Sequence, residues 1–198
     1  MRTEDLEIVL DGGTETQSLD FKKSCPWSMN TFAKDILAMA NVQGGGTIVI
    51  GVVEEKDGSY TRQGIFEEHK KTYTTDGIMD DMSKFADPYV QVSVKPLKDK
   101  KGVEYAILTI EPFRDIPVIC KKDSDDTKRG CIYYRNRDGR PNSAVISNSF
   151  DMRDLIERAV VQSAKRAKDI GFVLPSSDDA KLMMKAIEER LKRERGDL

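Results

Sequence analysis

No apolar run in this chain approaches the roughly 18 residues that a membrane-spanning helix needs, so the sequence offers no bilayer crossing. Histidine occurs once, as His69 in the polar stretch FEEHKK, which leaves neither a Ser-His-Asp nor a Cys-His arrangement to build on and reads as a surface histidine. Cysteine occurs three times, at Cys25, Cys120 and Cys131. An odd number at such wide spacing argues against a disulfide framework and a zinc knuckle, and the three are expected to be packing residues. The first residues, MRTEDLEIVLDGG, put acids where a signal peptide has its apolar centre, so the cytoplasm is the expected compartment. A surplus of one charge is missing too. With a formal net charge of −2, any attraction to nucleic acid must come from local patches.

What is present suits one substantial core with a helical appendage in 198 residues, of which 38% are hydrophobic and 33% charged. Residues 3–10 suit a short helix or strand, and LDF from Leu19 a short strand. Asn30 or Thr31 can cap a helix whose apolar positions Phe32, Ile36, Leu37 and Ala40 share one face, stopped by Asn41 and the glycines 44–46. The β-branched run Thr47–Val53 predicts a strand covered on both faces, followed by a turn at Lys56, Asp57 and Gly58. A helix is expected over Asp76–Ala86, strands over 89–95, 103–111 and 131–135, and a shorter strand over 116–120. Two amphipathic helices close the chain. One contains Met152, Leu155, Ile156, Ala159 and Val160; the other contains Leu182, Met183, Ala186, Ile187 and Leu191; Gly171–Ser177 reads as a hinge between them. The later strands run consecutively, so the expected class is α+β: a mixed, mostly antiparallel sheet flanked by helices. The boundary falls between a domain at 1–148 and a helical extension at 149–198.

Three groups of residues carry chemistry. Glu15 and Asp20, five apart, cannot converge from regular structure, so a turn must lie between them, and Lys22 and Lys23 follow at once. Gly44–Gly46 is read as a helix stop and tight turn, because a phosphate loop follows a strand and opens a helix, the reverse of the order here. The segment CIYYRNRDGR places Arg135 and Arg137 on one strand face with Tyr133, and Arg140 just past the turn. This grouping suits phosphate contact and base stacking, or else a charged, soluble hairpin end, while Tyr134 points to the core. Lys121 and Lys122 form a further basic pair, for which a solvated face is the plainer reading.

In order, ETQSLDFKKS, AKDILAMANVQGGGTIVIGV, DIPVICKK and IYYRNRDGRPNSA resemble the Schlafen-type Alba-like domain over about residues 10–146. The resemblance implies nucleic-acid binding, RNA favoured and DNA possible. Schlafen members include metal-dependent endoribonucleases that cut structured RNA such as tRNA with three carboxylates. Carried onto this sequence, the first two acids are Glu15 and Asp20. The third position is Val53, with Glu54 and Glu55 following; Glu55 recovers the strand parity of Val53, and Glu54 needs a bulge or strand end to re-aim it. An intact site would hold Mg²⁺ or Mn²⁺ on Glu15, Asp20 and Glu54 or Glu55, with Lys22 beside the phosphate. Lys22, Lys23, Lys121, Lys122, Tyr133, Arg135, Arg137 and Arg140 would contact nucleic acid. The alternative is a non-catalytic DNA-binding or regulatory module. Schlafen proteins set two such lobes around a basic valley, so a chain with sequence for one lobe is expected to act as a homodimer.

Overall fold

In the computed structural model of the chain, which describes residues 1–136, 141–172 and Lys185, the first element is helix α1 (Thr3–Gly12). Its Asp5 accepts the Arg2 backbone N–H at 2.8 Å, and Leu6 and Leu10, one turn apart, form the buried face. There follow β1 (Leu19–Lys22), α2 (Met29–Ala40), β2 (Gly46–Ile50), β3 (Val52–Glu54), β4 (Tyr60–Arg62), α3 (Glu67–Lys70) and α4 (Thr75–Ser83). The remainder is β5 (Ala86–Asp87), β6 (Val92–Lys98), β7 (Glu104–Ile110), β8 (Ile119–Cys120), β9 (Tyr133–Arg135), β10 (Ser143–Val145) and α5 (Ser149–Asp169). The expected stripe from Leu182 to Leu191, and Arg137 and Arg140, lie outside the described residues.

Four strands form the main sheet in the order β1-β2-β7-β6. Only β1 and β2 run parallel; the other pairs are antiparallel, as the consecutive later strands predict. Strand alternation sends Ile48, Ile50, Ala106, Leu108 and Ile110 to one face, under α2 and α4, and Val49, Tyr105 and Ile107 to the other, under α1. Two covered faces are why these strands read as unbroken apolar runs. Arg62 on β4 fastens α1 over its face, reaching Glu7 at 3.0 Å and Asp99 at 3.7 Å.

Two glycines correct or explain the sequence reading. The strand expected over Thr47–Val53 breaks at Gly51, which has φ 118° and lies so close to Gly64 that an added Cβ would sit 2.6 Å from its carbonyl carbon. Beyond the break, β3 leaves the main sheet and pairs with β4, taking Glu54 to a different ribbon. Gly45 has φ 75°, and a Cβ there would collide with the Ile110 carbonyl oxygen. The glycine run is therefore a turn packed on β7, and no helix opens after it.

The helix expected over Asp76–Ala86 ends at Ser83, because Ala86 and Asp87 are drawn into a pairing with β8. The Cys120 thiol is buried and those of Cys25 and Cys131 are partly buried, all three unbridged. No helix among the described residues is long and apolar enough to cross a membrane. At the end of the domain, Asn148 caps α5 by accepting the Asp151 N–H at 2.8 Å, and Leu155 enters the core. Ile156 and Val160, expected on the same packed face, are exposed instead, because that face is one helical row wide and Leu155 fills it.

Candidate functional site

Thr16 and Leu19 exchange backbone hydrogen bonds at 3.1 and 3.2 Å, and this tight turn doubles the chain back so that Glu15 lies beside β1. There the Glu15 Oε1 accepts the Phe21 N–H at 3.1 Å, occupying a donor on the outer edge of the strand. Alternation turns Phe21 toward α1 and leaves Asp20 and Lys22 on the α2 side. Two distant cations complete the group. Arg135, only 2% exposed, bonds Asp20 Oδ1 at 2.9 Å and lies 3.6 Å from Glu15 Oε2, through the same nitrogen. Its fork also donates to the Thr16 and Leu19 carbonyls, each at 3.2 Å, while Gln17 Nε2 donates to the Arg135 carbonyl at 2.7 Å. Lys22 Nζ lies 2.8 Å from Asp20 Oδ2 and 2.9 Å from Asp35 Oδ2 on α2. The Asp20 contact has ion-pair distance without hydrogen-bond direction, so this buried oxygen is held by charge alone.

The result is a chain of alternating sign: Glu15, Arg135, Asp20, Lys22, Asp35. Each buried charge carries a desolvation cost of several kcal/mol that only its neighbours offset. Burial, reinforced by the Asp20 charge, raises the Glu15 pKa above the ordinary glutamate value, although the Phe21 N–H and Arg135 oppose the rise. For Lys22 burial acts downward, but the Asp35 and Asp20 carboxylates together outweigh it and hold the ammonium above the usual lysine range.

A cleft of about 500 Å³ opens over this network, lined by Glu15, Asp20, Lys22, Asp35 and Arg135 with Glu54 at its margin. Glu15, Asp20, Lys22 and Glu54, grouped in the sequence reading, all line this one cleft. Glu55 does not join them; it is exposed in the β3–β4 turn, its backbone N–H donating to the Ser59 carbonyl. Among the described residues no three His, Cys, Asp or Glu side chains are placed to hold a metal ion. The physical reason is visible: the guanidinium of Arg135 and the ammonium of Lys22 sit between the acids where a divalent ion would have to go. As placed, the carboxylates do not fit a metal.

Two expectations for nucleic-acid contact need correction. Tyr133 and Arg135 are buried, since β9 is enclosed by α2 on one side and by the Thr16–Leu19 turn on the other. The Tyr133 hydroxyl accepts the Lys128 N–H at 2.8 Å and presents no ring to a base. Tyr134 is buried as expected, its hydroxyl donating to Asp154 at 2.9 Å. Lys22 is committed to its two acids, whereas Lys23, Lys121 and Lys122 are exposed, Lys122 lying over the Phe85 ring at 5.1 Å. His69 is half-buried, with Nδ1 2.9 Å from the Ser24 hydroxyl, so it is not the free surface histidine expected.

Sequence reasoning missed Asp35 and the full role of Asn41. Asp35 follows Phe32 by three and precedes Met39 by four, so it lies on the buried stripe of α2, and an acid there is a signal that a cation faces it. Asn41, expected only to stop α2, is fully buried. Its Nδ2 donates to the Leu37, Val118 and Tyr133 carbonyls at 3.2, 2.9 and 3.0 Å, and its Oδ1 accepts the Val118 N–H at 2.8 Å. That clamp fixes β9, and with it Arg135, against the end of α2.

Comparison with known proteins gives a family. The family described as Schlafen, AlbA_2 matches residues 15–142, which contain the whole network. No curated protein matches the chain. Among solved structures, the DIP2311 protein from Corynebacterium diphtheriae aligns with a TM-score of 0.48 and 17% identity, over 81% of this chain and 28% of that one. The N-terminal domain of an ATP-dependent DNA helicase RecG-related protein from Nitrosomonas europaea aligns with a TM-score of 0.49 and 15% identity, over 75% of this chain and 96% of that one.

Proposed function

The chain belongs to the Schlafen, AlbA_2 family, and on that premise we propose that it is a cytoplasmic nucleic-acid-binding domain, with RNA the favoured partner and DNA the alternative, acting as a homodimer. The observation that carries the binding reading is the state of the carboxylates. Each of Glu15, Asp20 and Asp35 is engaged by an internal cation, which suits a domain that holds its partner without cutting it. The partner's phosphates would meet the exposed lysines. The loop 121–130 carries Lys121, Lys122, Lys128 and Arg129, all exposed, and it reaches the cleft through Asp126 and through Asn30, whose Nδ2 lies 3.4 Å from Asp125.

The finer reading is metal-dependent endoribonuclease activity on structured RNA such as tRNA, with Mg²⁺ or Mn²⁺. One observation favours it: Glu15, Asp20 and Glu54 line a single cleft. For that chemistry Arg135 and Lys22 would have to release the acids first. The deciding experiment titrates a labelled tRNA pool and a duplex DNA at several salt concentrations, then incubates the tRNA with Mn²⁺ with and without chelator. Salt-dependent binding without cleavage is expected. Cleavage that needs Mn²⁺ and disappears in Glu15→Gln would replace the binding reading with the catalytic one, and absence of binding to either polymer would remove both.

A further inference from the structure

Of the thirteen large apolar side chains exposed among the described residues, six fall within the short stretch from Phe150 to Phe172. Such a concentration marks a surface that another surface covers. The inner side of α5 is already occupied: Leu155 enters the core, Arg158 donates to the Asn41 carbonyl, Ser163 donates to the Asp115 carbonyl at 3.0 Å, and Arg166 pairs with the Asp115 carboxylate. The outer side carries Ile156, Val160, Ala164 and Ala167, spaced by four, four and three residues, which is the spacing of a helix–helix seam. Ile156 and Val160 are 53% and 63% exposed, and the two alanines allow close approach of a facing helix.

The charges along α5 say what faces it. Asp151, Asp154, Arg158 and Arg166 are held by groups of their own domain, so the charges left to a partner are Arg153 and Glu157 in the N-terminal half and Lys165, Lys168 and Asp169 in the C-terminal half. Reversed on itself about the seam, the helix sets Glu157 against Lys165 and Lys168 and Arg153 against Asp169, opposite charges in each case, which is the condition for a two-fold interface. We infer that α5 is the seam of the homodimer. Two copies pair antiparallel through Ile156, Val160, Ala164 and Ala167, with Glu157 of each copy facing the Lys165–Lys168 end of the other. The inference rests on the dimer part of the functional reading and is independent of nucleic-acid binding.

The test uses the full chain and light scattering at micromolar concentration. The wild type should have the mass of a dimer, and Val160→Glu half that mass with the wild type's far-ultraviolet circular dichroism, because Val160 is not part of the core and only the stability the dimer adds is lost. Under mild oxidation the double variant Ile156→Cys, Ala167→Cys should form covalent dimers while Ile156→Cys alone should not, since antiparallel pairing keeps the two copies of position 156 about 16 Å apart along the helix. Glu157→Lys should weaken the dimer and Glu157→Lys with Lys168→Glu should restore it. A monomeric wild type, a dimeric Val160→Glu, or self-crosslinking of Ile156→Cys would each overturn the inference. So would loss of the dimer in Leu182→Glu, Ile187→Glu with Val160→Glu still dimeric, because the chain's own C-terminal residues would then be the determinant. A dimer that behaves as expected but binds no nucleic acid would leave the seam standing and remove the binding reading alone.

Discussion

Around β1 charged side chains are inside the protein, while along α5 apolar side chains are outside it. The same physical rule explains why both regions are unusual. A buried ion is tolerated only when opposite charges surround it, and Asp20 has Arg135 at 2.9 Å and Lys22 at 2.8 Å. An exposed apolar stripe is tolerated only at a cost that a partner removes. The first region is complete within one chain and therefore reads as a closed, structural device beneath a cleft. The second has no covering side chain among the described residues, and the proposed seam is what would cover it.

Breaking the closed region should have the largest effect. Arg135→Ala leaves the Asp20 and Glu15 carboxylates buried without their guanidinium, and a loss of about 3–5 kcal/mol is expected in urea denaturation. Arg135→Lys should recover only part of it, since one ammonium cannot serve Asp20, Glu15 and two carbonyls in a planar fork. A loss below about 1 kcal/mol would place Arg135 among the surface charges.

Glu15 sharpens the comparison with a smaller effect. Its pKa is raised in the folded state, by burial first and Asp20 second, so the folded protein holds that proton more tightly than the unfolded chain does. The stability from this linkage is full below the ordinary glutamate value of 4.5 and is lost as pH rises through the higher folded value. Glu15→Gln, which can still accept the Phe21 N–H, should therefore melt above the wild type at neutral pH and converge with it in acid. A variant less stable than the wild type at neutral pH would show that the contact with Arg135 outweighs the burial.

The smallest effect separates exposed from buried cations. Lys121→Ala and Lys122→Ala should each lower the log–log salt slope of binding by about 0.7 on single strands and about 0.9 on duplex DNA for every phosphate left without its lysine. Among variants that remain folded, a change at Arg135 should leave that slope unaltered. An equal slope in the Lys121 and Lys122 variants would assign that pair to solubility.

Much of this was legible before the fold was known. The runs around Ile48 and Ile107 announce strands buried on both faces, the stripe from Phe32 to Ala40 announces α2, and the five-residue gap between Glu15 and Asp20 demands the turn found at Thr16–Leu19. Other features were hidden for definite reasons. Alternation along Tyr133–Arg135 predicts one outward face, yet β9 is covered on both sides, so Arg135 turns inward. Glu54 and Glu55 could not be ranked by parity because the chain changes partners at Gly51, a break caused by the approach of Gly64.

The layers follow from the period and length of the apolar runs, and the short gap between Glu15 and Asp20 makes a turn the way those two acids can approach each other, but Asp35 and the choice between Glu54 and Glu55 are not written in any local pattern. Tertiary structure alone decided what stands between those acids. Arg135 is 115 residues away from Asp20 in sequence, and Lys22 meets Asp35 only because α2 packs on the sheet face to which Lys22 points. Short-range geometry is set by the bonds that link neighbours, whereas the pairing of distant charges depends on how closing the core happens to place them, and no local pattern records that.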